Sequence, residues 1–388
     1  MGLIRGPNME IVAIEQEIFP TNPLPTGPLE KVYVIWLAGM SCDGCSISLL
    51  GATTPPLERL MAGTVPGVPK LVVSHTALSL ESGHEYLETF FKAERGELDA
   101  PYVVVLEGSV PDENLNKDNG GYFVAIGEEN GRQVPTAEWL TRLSSKAAAV
   151  LSVGTCASWG GIPAAYGNVT GSMSLMEYLG KDFRSAFGLP VINIPGCPPI
   201  GDNITETVSA ILLFLQGLTP LPEFDELGRP AWLFGDSPYG DTVHTGCPRA
   251  GHYEEGNFAS EPGQSECLVK VGCWGPVVQC NMGSKGAING IGGCMQMGGV
   301  CIGCTMPGFP DKFSPRGAAP PGSLVSGAFS NVVGSIIKPL RNLTQMDKNR
   351  TIRWTDDIPS GWSPKGKRTL LGRLWAFLYK IGQKREIG

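Results

Sequence analysis

The chain has no run of about 20 apolar residues, and so no segment that reads as a membrane-crossing helix. Its first thirty residues lack a continuous apolar core, a twin arginine and a small-residue cleavage site. No export signal is read there, and the expected location is cytoplasmic. Basic charge is scarce as well: 30 lysines and arginines stand against 37 acidic residues, a net charge of -7. That balance excludes a broad basic surface, so nucleic acid is not an expected partner.

What is plentiful is cysteine, glycine and proline, with 11, 52 and 32 copies in 388 residues. Cys42, Cys45, Cys156, Cys197, Cys247, Cys267, Cys273, Cys280, Cys301 and Cys304 are too many and too spread out for one catalytic thiol. A cytosolic chain keeps its thiols reduced, and an odd count with two CxxC pairs fits metal ligation better than disulfides. Glycine and proline concentrate after residue 225, where loops shaped around clusters need them. The length suggests two or three domains.

The first half reads as α/β. Residues 32–37, 70–73, 103–106, 149–153 and 191–194 are short β-branched runs of the kind buried in a parallel sheet. Helical stretches at 81–95 and 136–146 lie between them, and 203–216 follows the last, with Asp202 or Asn203 as its N-cap. Alternating β and α predicts a doubly wound sheet. Cys42 and Cys45 follow the first run, Cys156 the fourth and Cys197 the fifth. In an open α/β sheet those carboxyl ends converge on one crevice, so four distant thiols are expected to meet there. Such a set can bind a four-iron cluster or zinc. Glu107 and Ser109, after the third run, are expected on the same rim.

In the second half His244 precedes Cys247 by three residues, and Cys267 and Cys273 follow. Cys280, Cys301 and Cys304 form the next group, with Cys294 nearby. Either group suits zinc or iron and sulfur, and spacing does not separate them. Lys270, between Cys267 and Cys273, would offset a cluster's negative charge or stand as a solvated lysine. His252 reads as a hydrogen-bonding or packing residue.

Seven motifs in order, LAGMSCDGC at 37–45, LEGSVP at 106–111, GTCASWGG at 154–161, PGCPP at 195–199, HTGCP at 244–248, CLVKVGCWGP at 267–276 and CIGCTMPGF at 301–309, resemble the small subunit of nickel-iron hydrogenases. The pattern is most similar to the cytoplasmic-facing, high-affinity uptake enzymes of actinobacterial type. The resemblance implies a flavodoxin-like domain over residues 31–225 and a loop-rich cluster domain over 226–330, flanked by an N-terminal extension, 1–30, and a C-terminal one, 331–388. It also implies three iron-sulfur clusters in a line. Cys42, Cys45, Cys156 and Cys197 would hold a proximal 4Fe-4S cluster, Cys280, Cys301 and Cys304 a medial 3Fe-4S or 4Fe-4S cluster, and His244, Cys247, Cys267 and Cys273 a distal 4Fe-4S cluster. The nickel-iron centre would belong to a separate large subunit, because Cys42/Cys45 and Cys301/Cys304 lack the arginine and histidine neighbours of nickel ligands. Electrons from dihydrogen would pass to a quinone or a further redox subunit, in a higher oligomer of heterodimers.

Some positions depart from the family pattern. Asp43 lies inside the first CxxC, as an iron ligand in exchange with a cysteine or as a turn residue. Ile47 stands where many relatives carry glutamate, and Gly44 and Gly161 stand where six-cysteine, oxygen-tolerant relatives have extra thiols. Cys294 stands where relatives with a three-iron medial cluster have proline, as a fourth ligand or as a free thiol. Residues 365–388 carry seven basic residues and one acidic residue, with apolar residues at helical spacing. This basic amphipathic helix would lie on the inner face of the membrane, on a partner, or on its own core. Two other readings compete: a quinone-reductase subunit related to respiratory complex I, and a zinc-stabilised scaffold protein.

Overall fold

The computed structural model describes residues 28–119, 121–234 and 242–313. The amphipathic segment 365–388 and residues 1–27 lie outside them. Five strands, β1 (Lys31–Ala38), β2 (Lys70–Ser74), β3 (Tyr102–Glu107), β6 (Ala149–Val153) and β7 (Val191–Ile194), form one parallel sheet in the order β2-β1-β3-β6-β7. These are the five apolar runs, extended by a residue or two where a polar neighbour continues the ladder. A hairpin that periodicity did not suggest, β4 (Ala125–Glu129) with β5 (Arg132–Pro135), stands apart as a two-stranded sheet.

The helices are α1 (Gly44–Leu50), α2 (Leu57–Ala62), α3 (Gly83–Arg95), α4 (Thr136–Leu143), α5 (Thr155–Trp159), α6 (Leu175–Leu179) and α7 (Gly201–Leu215) in the first half. Alternation along β1 divides them between two layers. Val32, Val34 and Trp36 pack with Leu49 of α1, Leu57 and Leu60 of α2, and Ile204 and Ile211 of α7. Ile35 and Leu37 point the other way, onto Phe90 and Phe91 of α3 and Trp139 and Leu140 of α4. Each fully buried side chain of this size contributes about 1.5–3 kcal/mol, and the two layers cover both faces of the sheet.

α7 begins two residues earlier than its polar start suggested. Its N-cap is Ile200, and Asp202 serves elsewhere, its carboxylate accepting from the Thr53 and Thr54 amides at 2.5 and 2.9 Å. That fastens α7 to the loop after α1.

Residues 242–313 carry only short elements, the helices α8 (Ala250–Glu254) and α9 (Met282–Lys285) and single 3-10 turns at Leu268–Val271 and Asp311–Phe313. Their core mixes Val243, Tyr253, Val269, Trp274, Met295, Met306 and Phe309 with Cys267 and Cys301. This part is seated on the first half by polar contacts. Asn203 and Asn281 exchange amide hydrogen bonds at 2.9 and 3.0 Å across this junction, and buried Arg229, in the segment leading into this part, donates to Gln279 at 2.6 Å. Among the described residues no helix is long and apolar enough to cross a membrane.

Candidate metal centres

Each first-half cysteine sits just past a strand of the sheet. Cys42 occupies the β1–α1 turn, Cys45 the first turn of α1, Cys156 the first turn of α5 after β6, and Cys197 the loop after β7. The four thiols act on one another: Cys45 is raised first by burial, then by Glu107, Cys156, Cys42 and Cys197. Cys156 is pushed up to about 11, by burial first. Two glycines make room for the sulfurs. A Cβ at Gly154 (φ 91°, ψ 159°) would collide with Cys45 Sγ, and one at Gly161 would come within 2.8 Å of Cys156 Sγ. Cys42 and Cys197 are exposed, so this centre opens on the molecular surface.

Glu107 and Ser109 were expected on the rim, but both are buried beneath it. Glu107 Oε1 accepts from the Cys45 amide at 3.0 Å, and Oε2 accepts from the Ser46 amide at 3.2 Å, the Ser46 hydroxyl, and Trp36 Nε1 at 3.1 Å. It therefore satisfies the first amides of α1, whose N-cap Asp43, left-handed at φ 61°, offers no side-chain cap. Asp43 is exposed, and its charge reaches His75. His75 and Ser46 are part of this arrangement and carried no sequence signal: Ser46 Oγ lies 2.7 Å from His75 Nε2, 29 residues away.

The second half builds two cavities. His244, Cys247, Cys267 and Cys273 line one of about 320 Å³ together with Arg249, Met295 and Gly275. Cys280, Cys294, Cys301 and Cys304 line another of about 450 Å³ together with Asn203, Met282 and Thr305. Both volumes include the open mouth. Cys294 thus faces the same space as its three neighbours, and its charge bears on Cys280 and Cys304. His252 lies away from both, its Nδ1 accepting from Asn257 Nδ2 at 3.0 Å. Lys270 is held 4.8 Å from the Phe258 ring centroid.

Burial dominates the proton affinities. It pushes Cys267 and Cys280 up to about 12 and Cys273 to about 11, and lowers His244 to about 4, which leaves the imidazole neutral. Thiols this reluctant to ionise would release their protons to a strong local positive charge, such as bound iron would supply. Among the described residues no three histidine, cysteine or acidic side chains close around a point for a single metal ion. The donor sets, thiols with one imidazole, fit clusters, whose ligands stand around several iron atoms instead of one.

The three groups touch. The Cys197 amide donates to the Cys304 thiol, and the Cys301 amide donates to Cys273 Sγ at 3.3 Å. Around these contacts the Thr155 hydroxyl donates to the Cys304 carbonyl and Trp159 Nε1 to the Thr305 carbonyl at 3.2 Å.

Residues 239–316 match the family model for the C-terminal part of the NiFe/NiFeSe hydrogenase small subunit, and residues 42–211 match that of the NADH ubiquinone oxidoreductase 20 kDa subunit. The chain is similar to a solved actinobacterial-type NiFe-hydrogenase from Ralstonia eutropha H16, at 46% identity over 87% of this chain and 96% of that one, with a TM-score of 0.76. It is 32% identical to the periplasmic [NiFeSe] hydrogenase small subunit of Desulfomicrobium baculatum, over 74% of this chain and 87% of the relative. It is 34% identical to the hydrogenase-2 small chain of Escherichia coli K12, over 74% and 69%.

Proposed function

The chain belongs to the small-subunit family of nickel-iron hydrogenases, and from that membership we propose a division of labour among its thiols in an electron relay. It is the electron-transfer subunit of a hydrogenase, and the nickel-iron centre belongs to a large subunit. Bound iron-sulfur clusters supply one-electron carriers whose potentials follow net charge, hydrogen bonds to sulfur and burial.

Cys42, Cys45, Cys156 and Cys197 hold the proximal cluster as 4Fe-4S, with Asp43 in the same loop as the residue able to exchange with one of them. Cys280, Cys301 and Cys304 hold the medial cluster. Cys294, on the same cavity, completes it as 4Fe-4S. His244, Cys247, Cys267 and Cys273 hold the distal cluster as 4Fe-4S. The observation that carries this reading is the pair of amide-to-thiol contacts that join the first group to the second and the second to the third. The chain divides near residue 225, since the apolar clusters around the sheet draw on residues 29–224 and the next on residues 227–313. The flanking extensions are residues 1–30 and 331–388.

The large subunit seats over Cys42 and Cys197, where Ile47 and Leu50 on α1 and Ile288 and Ile291 lie exposed. Ile288 lies against Gly51, just past the end of α1. Dihydrogen oxidised in that partner yields two protons and two electrons; the electrons enter here and leave from the His244 group to a quinone. The enzyme faces the cytoplasm as an oligomer of heterodimers, held on the inner membrane face by residues 365–388.

Anaerobic purification of the heterodimer, metal analysis and EPR through a redox titration test this reading. About twelve irons in three groups of four, with signals that respond to hydrogen, are expected; zinc without iron overturns it in favour of the scaffold. A complex I-like subunit is disfavoured by the match of residues 239–316, which carries two of the three thiol groups.

A further inference from the structure

Glu107 is a buried carboxylate at the end of the central strand β3, and among the described residues no lysine or arginine pairs with it. Its neighbours fix its role. The Ala77 amide donates to His75 Nδ1 at 3.0 Å, so that nitrogen is an acceptor and the neutral ring carries its proton on Nε2. Nε2 therefore donates to Ser46 Oγ at 2.7 Å, and the Ser46 hydroxyl is left to donate to Glu107 Oε2. The Trp36 indole and the Cys45 and Ser46 amides have no choice but to donate. Every group at Glu107 is thus a donor, the surroundings of an ionised carboxylate. Burial holds His75 below its ordinary range, in keeping with a neutral ring.

This charge lies one amide away from Cys45 and is the largest influence on that thiol after burial. Net charge near a cluster and hydrogen bonding around it set its potential. We propose that Glu107 is a fixed negative charge that holds down the reduction potential at the Cys42, Cys45, Cys156, Cys197 centre, and that the Ser46–His75 chain moderates it by drawing charge away from Oε2. Glu107 and Ser46 act here as positioning residues: neither is a ligand. The inference rests on the proximal assignment made above and adds to it which side chains tune that centre.

It predicts opposite signs for two substitutions. Glu107→Gln removes the charge and raises the proximal midpoint potential; Glu107→Asp keeps the charge and brings the potential back toward wild type. Ser46→Ala removes one donor and the link to His75, concentrates the charge on the carboxylate, and lowers the potential. The measurement is an EPR redox titration of the purified heterodimer at one pH, with the medial and distal signals as internal references that stay in place. Shifts of the same sign in Glu107→Gln and Ser46→Ala, or no proximal shift relative to the references, overturn the proposal. If Glu107→Gln fails to assemble, Ser46→Ala decides alone: a fall supports the proposal and its absence overturns it. Failure of the underlying ligand assignment shows separately, as a wild-type enzyme without a proximal iron-sulfur signal.

Discussion

Replacing Gly154 with alanine is the sharpest probe of the first centre, because one methyl group acts on both backbone and sulfur. Gly154 precedes α5 at φ 91° and ψ 159°, a region occupied almost only by glycine, and forcing a side chain into it costs of order 1–3 kcal/mol. Against a typical stability of about 5–15 kcal/mol, that alone leaves the domain folded. The decisive effect is steric. The new Cβ lies under 3.0 Å from Cys45 Sγ, whereas non-bonded heavy atoms rest at about 3.5–4.0 Å. The sulfur must retreat by more than ~0.5 Å, while metal ligands tolerate about 0.2 Å. Cys45 cannot swing away freely, since its amide is held by Glu107 at 3.0 Å and its side chain packs against the core. The G154A heterodimer is therefore expected to lose about four irons, one cluster's worth, and the proximal EPR signal, with the other two signals retained. Iron and acid-labile sulfide assays with EPR read this directly, and circular dichroism verifies the fold. A G154A enzyme with its full iron complement and an unchanged proximal signal would refute the reasoning.

Cys294→Ala should lower the iron content by about one per heterodimer and leave a three-iron signal at the medial centre; an unaltered four-iron medial signal sinks the assignment of Cys294. Asn203→Ala strands buried Asn281 without its reciprocal partner, which should cost about 1–3 kcal/mol and lower the urea midpoint. Stripping iron with a chelator should abolish hydrogen-exchange protection in residues 242–313, whose core is built partly of cysteines, while the amides of β1, β3 and β6 stay protected; equal loss in both regions counts against this. Deleting residues 365–388 should release the complex from membranes in flotation, and unchanged retention argues against a membrane role for that segment.

The parallel sheet was legible because burial on both faces writes a strand as a continuous β-branched run, and β6 and β7 coincide with theirs residue for residue. The hairpin β4–β5 escaped notice because it lies outside the sheet and its residues, AIGEE and RQVP, are largely polar. Convergence of Cys42, Cys45, Cys156 and Cys197 followed from topology alone, since strand ends in this fold share a rim. Cys294 was ambiguous in sequence, where distance along the chain says nothing about which cavity a loop cysteine faces. His75 was invisible for a related reason: Ser46, His75 and Glu107 follow three different strands, β1, β2 and the end of β3, and only the parallel crossovers bring them together. The misplaced N-cap of α7 is a case of tertiary demand overriding local preference, Asp202 being used to hold Thr53 and Thr54 instead.

The turn Cys301-Ile302-Gly303-Cys304 governs two gaps at once. Its first cysteine offers an amide to Cys273 and its last receives one from Cys197, so both neighbours are measured from the same four residues. Gly303 has no room for a side chain, because a Cβ there would strike the Phe313 ring. An insertion in it would open both junctions together, like lengthening the middle link of a chain already pulled tight. Under the relay proposed above, a designer who wants a longer wire would therefore add stations beyond His244, Cys247 and Cys267 and leave the middle of the molecule untouched.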